Sequence, residues 1–209
     1  MNRPLRIVVA DDHPVVREGI RMYLKDWCDV EIVAEASDGH EAVERVKEKH
    51  PDVVLLDLTM PRMGGLEAVP RIRRADSGTR VIIVTVHNTN EYIRQAMAAH
   101  VDGYLLKDTA PSEYVAAIRT VMEGRFFISP AVAQHAGREL PLRGAIRFGL
   151  SAREYQYLLL AARGGRLADI AAAMQCSLTT AQTYRRNVYR KLKIKNAAML
   201  TRFAVEHGL

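Results

Sequence analysis

Scarcity is informative in this chain of 209 residues. There are only two cysteines, Cys28 and Cys176, far apart and in unrelated local settings, which argues against a disulfide framework or a cysteine metal site. No apolar run reaches the roughly 18 residues that a membrane-spanning helix needs. Asp11 and Asp12 interrupt the N-terminal stretch before it could form a signal peptide. The expectation is a cytoplasmic protein with no membrane partner. Acid is the other scarcity: residues 129–209 carry 13 Lys and Arg against 4 Asp and Glu, whereas residues 1–128 carry 17 against 20. The excess of basic charge therefore belongs to the C-terminal part alone. That asymmetry predicts a near-neutral module joined to one that meets a polyanion, nucleic acid rather than lipid, because no basic helix bears a strong apolar stripe.

Within the first 128 residues, short β-branched runs alternate with helical patterns. The runs are LRIVVA (5–10), VEIVAEA (30–36), DVVLLD (52–57), RVIIVT (80–85) and GYLLK (103–107). Five strands and five helices in strict alternation predict an α/β fold, a doubly wound, flavodoxin-like parallel sheet covered on both faces. Helix starts carry capping chemistry, as in Asp38 with Glu41 and in Pro14 just inside its helix. Pro70 is awkward, and must sit in a first turn or distort its helix. From residue 124 the alternation gives way to glycines and prolines, which marks a linker. From Leu150 the pattern is wholly helical, opening with the capping box Ser151 to Glu154. The expected domains are therefore 1–125, a linker at 126–149, and an all-α domain at 150–209.

The predicted strands end in polar residues: Asp11 and Asp12 after the first, Asp57 on the third, Thr85 on the fourth, Lys107 on the fifth. In an open α/β sheet those carboxyl ends form the ligand crevice. Three carboxylates brought together repel unless a divalent cation sits among them, and an all-oxygen site with few protein ligands suits Mg²⁺. Lysine and threonine then supply positive charge and a hydrogen bond to an incoming anion. This combination predicts a phosphoryl-accepting site with a carboxylate nucleophile.

These residues lie in VVADDHPVVREGI, DVVLLDLTMPRMGGLEA, VIIVTVH and DGYLLKD, and over residues 5 to 125 the chain resembles the receiver domains of two-component response regulators. The resemblance implies that Asp57 is the phosphoacceptor, that Asp11, Asp12, Asp57 and the Thr59 backbone carbonyl hold Mg²⁺, and that Thr85 and Lys107 contact phosphoryl oxygens. It places Tyr104 where the family has an aromatic that turns inward when Thr85 is drawn to the phosphoryl group. A half-buried strand tyrosine fits the same position. Thr59 and His87 fall where the family tunes attack by water; as plain sequence they are a turn residue and a strand-end residue. Many receivers follow the site lysine with proline, but Lys107 precedes Asp108, as in the subfamily with LLKD.

In the basic part, ADIAAAMQCSLTTAQTYRRNVYRKL reads as a helix, a turn at residues 175–177 and a longer helix capped by Ser177. Ala181, Val188 and Leu192, with Tyr184 between, form its buried stripe. Thr179, Gln182, Thr183, Arg186 and Arg190 face the other way, flanked by Arg185 and Tyr189. No acid occurs from Leu178 to Lys195. A short helix packed on a polar, arginine-bearing one is the pattern of a helix-turn-helix, whose second helix enters the DNA major groove. LSAREYQYLLL, Gly164 ahead of DIA, and the TAQTYRRNVYRKL run make the segment similar to the LuxR/NarL-type helix-turn-helix. That likeness implies that Gln182, Thr183 and Arg186 read bases while Arg185, Asn187 and Lys191 contact the backbone. The family usually has Val, Lys and His at Ala181, Gln182 and Tyr184, and glutamine in place of lysine favours adenine over guanine.

The sequence thus points to a DNA-binding response regulator, not an enzyme, whose phosphorylation by a sensor histidine kinase promotes a homodimer on double-stranded DNA. An Asp-nucleophile phosphohydrolase would share Asp, Thr, Lys and Mg²⁺ but needs a second acid two residues after the nucleophile. Here Thr59 stands there. A constitutive DNA-binding protein with a vestigial receiver would be expected to have lost Asp12, Asp57, Thr85 or Lys107, and none is lost.

Overall fold

The computed structural model describes residues 3–25, 27, 29–135 and 148–209. Contacts divide the chain into two compact units, Met1–Pro141 and Leu142–Leu209. Cys28 and residues 136–147 of the expected linker lie outside the described residues.

The first unit is built on a parallel sheet in the order β2-β1-β3-β4-β5-β6. Its strands are β1 Leu5–Ala10, β2 Val30–Ala36, β3 Val53–Asp57, β4 Arg80–Thr85, β5 Gly103–Leu106 and β6 Phe127–Ile128. Its helices are α1 Pro14–Lys25, α2 Gly39–Lys49, α3 Gly65–Ala75, α4 Asn90–Ala98, α5 Pro111–Met122 and α6 Pro130–His135. The β-branched runs make strands because both faces are buried: every residue of β3 is buried. Ile7, Val9, Val53, Leu55, Ile82, Val84 and Leu105 form one core with Ile20 and Leu24 of α1 and Tyr114, Ala117, Ile118 and Val121 of α5. Because β2 and β3 flank β1, the chain reverses direction across the sheet at β1, and the crevice opens there between the ends of β1 and β3.

One detail differs from the sequence expectation, and another narrows it. A sixth strand, only two residues long, pairs Phe127 with Gly103 and Ile128 with Tyr104, so five predicted strands become six. Two residues are too few to show a period, and this strand and α6 occupy the start of the stretch expected to be linker. Of the two places expected for Pro70, the first turn is not the one it takes. It lies inside α3, on its exposed side, where solvent can satisfy the carbonyl that loses its amide partner.

The second unit contains α7 Ala152–Ala162, α8 Leu167–Ala173, α9 Leu178–Lys191 and α10 Ala197–His207. Ser151 and Glu154 form the full capping box at the start of α7. The turn between α8 and α9 passes through Gln175 in the left-handed region, φ 51°. Ser177 then caps α9, its hydroxyl accepting from the Thr180 amide at 3.1 Å. Ala181 and Val188 are fully buried, while Tyr184 and Leu192 are only half-buried. Leu158, Ile170, Met174, Ile194 and Leu200 add to the buried apolar set.

Candidate functional site

The carboxyl ends of β1, β3, β4 and β5 bring Asp11, Asp57, Thr85 and Lys107 together. Asp11, Asp57 and Thr85 are almost wholly buried, at 1%, 4% and 1% exposure. The Lys107 ammonium donates to Asp57 Oδ2 at 2.9 Å and faces Asp11 Oδ2 at 2.6 Å. Lys107 is itself fixed by its amide, which donates to the Thr85 carbonyl at 2.8 Å across the β4/β5 pair. Behind Asp57 the backbone is tight: a Cβ on Gly65 would stand 2.1 Å from the Asp57 carbonyl oxygen, so only glycine fits there.

Burial pushes the Asp57 carboxyl up from its ordinary value, against the pull of Lys107 and with the help of the neighbouring Asp11 charge. Burial works against the Lys107 ammonium too, but the Asp11 and Asp57 carboxylates beside it outweigh that and raise its pKa. Lys107 therefore stays charged, and one ammonium serves more than one carboxylate. His13, absent from the sequence expectation, adds to the cluster. Its Nδ1 lies 2.8 Å from Asp12 Oδ1 and 3.3 Å from Asp11 Oδ1. Asp11 Oδ2 and Asp12 Oδ1 are buried without a well-aligned hydrogen bond, although the Lys107 ammonium and the His13 ring stand beside them. Asp11, Asp12, His13 and Asp57 offer ligand atoms within 4.8 Å of one another. Buried acceptors left in this condition, with mostly oxygen donors, fit a small divalent cation.

Around this cluster, Thr85 Oγ1 accepts from the His87 amide at 3.2 Å, which leaves its hydroxyl proton available. Tyr104 is fully buried, not half-buried, and its hydroxyl donates to the His87 carbonyl at 2.8 Å. Burial raises the Tyr104 phenol far above its ordinary value. The His87 ring stacks on Tyr92 at 4.3 Å and meets the Thr59 hydroxyl at 3.4 Å, the long limit of a hydrogen bond. Arg17 Nη1 donates to the Asp11 carbonyl at 2.7 Å while its Nε holds Glu35 at 2.8 Å. The HP pair after the acids could have flagged His13. Nothing in the sequence says that Arg17 meets the end of β1, because that contact depends on how α1 crosses the sheet.

In the second unit, α9 exposes Thr179, Gln182, Arg185, Arg186 and Arg190, with Thr183 and Asn187 half-buried. The Thr183 hydroxyl donates back to the Thr179 carbonyl at 3.1 Å. Arg185 lies over the Tyr189 ring at 5.3 Å. Lys191, expected among the backbone contacts, lies at the end of α9 beside a carboxylate of α7. Its side chain is 17% exposed, and the ammonium is 2.6 Å from Glu154 Oε2, whose side chain is 4% exposed. A buried carboxylate without a partner would be costly, and this lysine supplies one.

Residues 7–119 match the response regulator receiver domain family, and residues 149–204 match the luxR family of bacterial regulatory proteins. The chain is 37% identical over 208 residues to Response regulator UvrY of Escherichia coli strain K12, covering 98% of this chain and 95% of that one. It is 35% identical to Response regulator GacA of Pseudomonas aeruginosa, covering 98% and 97%. A two-component response regulator of the LuxR family from Aurantimonas sp. SI85-9A1 shares 40% identity at a TM-score of 0.62, over 65% of this chain and 97% of that one. With a receiver match over more than half of its length and relatives aligned nearly end to end, the chain belongs to the DNA-binding response regulators of two-component systems, in which a receiver domain is joined to a LuxR-type helix-turn-helix domain.

Proposed function

We propose that Asp57 accepts a phosphoryl group from a sensor histidine kinase and that this event controls DNA reading by α9. The observation that carries the proposal is the Lys107 ammonium set between Asp57 and Asp11, which puts the cation beside the carboxylate a phosphoryl group would reach. An Asp57 oxygen attacks phosphorus in line, the bond to the donor nitrogen breaks, and Lys107 moves its hydrogen bond from the carboxylate to a phosphoryl oxygen. The free Thr85 hydroxyl proton donates to another oxygen. Asp11, Asp12, Asp57 and the Thr59 carbonyl would hold Mg²⁺, which offsets charge on the transferring group. Once Thr85 is engaged, Tyr104, already inward and bonded to His87, holds the β4–α4 segment as the switch. Thr59 and His87, which meet over the crevice, tune the approach of water.

The reading extends to the whole chain: a receiver at 1–125, a linker at 126–149 and a DNA-binding domain at 150–209. We place the regulator in the cytoplasm; no helix among the described residues is long and apolar enough to cross a membrane. In α9, Gln182, Thr183 and Arg186 read bases, Arg185 and Asn187 contact the DNA backbone, as Lys191 would on leaving Glu154, and Thr179 and Arg190 lie on the same DNA-facing side. Phosphorylation favours a two-fold dimer that presents two such helices to paired half-sites. The chain acts as acceptor and regulator rather than as an enzyme with turnover. The test is acid-labile labelling by a kinase or a small phosphodonor with Mg²⁺. Label appears on the wild type and is absent from Asp57→Asn; label surviving in the variant contradicts the assignment.

A further inference from the structure

We propose that Arg62 is a positioning residue for the divalent-cation site, latching the β3–α3 loop that carries Thr59 onto the start of α2 through Asp38. The inference rests on the cation reading given above. Residues 58–64 leave Asp57 and return to α3, and both ends of this loop are pinned. The Gly65 amide donates to the Leu58 carbonyl at 2.9 Å, and Gly65 packs directly against the Asp57 carbonyl. The Thr59 amide lies near enough to the Asp57 carboxylate to pull its pKa down. A displacement of the loop therefore moves the Thr59 carbonyl relative to the carboxylates.

The middle of the loop is held by Arg62. The Met63 amide donates to the Pro61 carbonyl at 2.6 Å, closing a three-residue turn about Arg62, whose φ is 62°. An arginine is disfavoured in that left-handed conformation, and glycine would adopt it freely. Something must hold the turn in place. The Arg62 guanidinium reaches Asp38 Oδ2 through both Nε and Nη2, with Glu41 Oε1 at 3.6 Å. The Asp38 side chain is 1% exposed and its other oxygen caps α2, accepting from the Glu41 amide at 2.9 Å. Beside it the Gly39 amide donates to the Met63 carbonyl at 3.0 Å, and a Cβ on Gly39 would stand 2.7 Å from that oxygen. Asp38 thus joins a rigid helix start to the one strained residue of the loop. Arg62 holds Asp38 and Glu41 rather than a reacting atom; it acts through the loop it fixes.



The test is Mg²⁺ binding to the full-length protein by titration calorimetry, with the unfolding midpoint recorded in chelator. Arg62→Gly suits the backbone and removes the latch, and Asp38→Asn keeps a helix cap but removes the charge. Each should weaken Mg²⁺ binding on the order of tenfold, as loss of a group that orients a ligand does. Arg62→Lys, which keeps the charge, should recover part of the loss, and the double variant Arg62→Gly with Asp38→Asn should be no weaker than either single change. Wild-type affinity in Arg62→Gly, or losses that add in the double variant, overturns the inference. A wild type that takes up no Mg²⁺ overturns instead the cation reading beneath it.

Discussion

Two lysines, one in each unit, sit against buried carboxylates, and they do different things. Lys191 meets Glu154, whose Oε2 also accepts the Ser151 amide at 2.9 Å in the capping box. Charge and hydrogen bonds there are matched, so the pair fastens α9 to the start of α7. Lys107 meets Asp57 and Asp11 beside Asp12, in a cluster where carboxylate oxygens remain without aligned donors. Negative charge there exceeds what one ammonium can offset. A matched buried pair is a structural fastening; an unmatched one is prepared for a ligand.

The largest expected effect separates the two lysines by stability. Lys191→Ala strands a buried carboxylate and should cost the DNA-binding unit about 3–5 kcal/mol, while Arg190→Ala on the exposed face should stay within about 0.5 kcal/mol. Chemical denaturation of the two variants checks this, and equal losses would erase the distinction. Next, Lys107→Ala should slow phosphorylation from a small donor about 10²–10³-fold, as removal of one donor to a developing oxyanion does. Single-turnover kinetics measure it, and an unchanged rate would reduce Lys107 to the role Lys191 plays.

A cation should act on one unit only. At one hundred times its dissociation constant, Mg²⁺ should stabilise the receiver by about 2.7 kcal/mol and leave the unfolding of the helical unit unmoved. Calorimetric scans with Mg²⁺ and with chelator test this. The smallest effect lies on the exposed face of α9. Gln182→Ala should cost about 1–3 kcal/mol on the preferred duplex and relax choice at one base position. Matching losses on preferred and scrambled duplexes would show that Gln182 does not read sequence.

The contrast also explains what could be read from the sequence. Asp11, Asp57, Thr85 and Lys107 stand at strand ends, and a parallel sheet brings those ends to one edge, so period and position alone locate them. The two residues of β6 carry no period, and their pairing beside Tyr104 depends on where α5 delivers the chain. Lys191 falls on a helix free of acid, which suggests a solvated face, but its partner lies 37 residues upstream on another helix. Arg62 and Asp38 are 24 residues apart, and only the folded loop reveals their contact. Local pattern places a residue on an element, whereas a partner for its charge comes from packing.

The coupling of Asp57 to α9 is tested most directly by one binding measurement. Full-length wild type and Asp57→Asn are titrated onto a duplex, selected from a random pool, that carries two half-sites about one helical turn apart, with and without a phosphodonor and Mg²⁺. Wild-type affinity should tighten with the donor while that of Asp57→Asn stays where it was. Equal tightening in both proteins, or none in the wild type despite stoichiometric label, would contradict control of DNA reading by phosphorylation of Asp57.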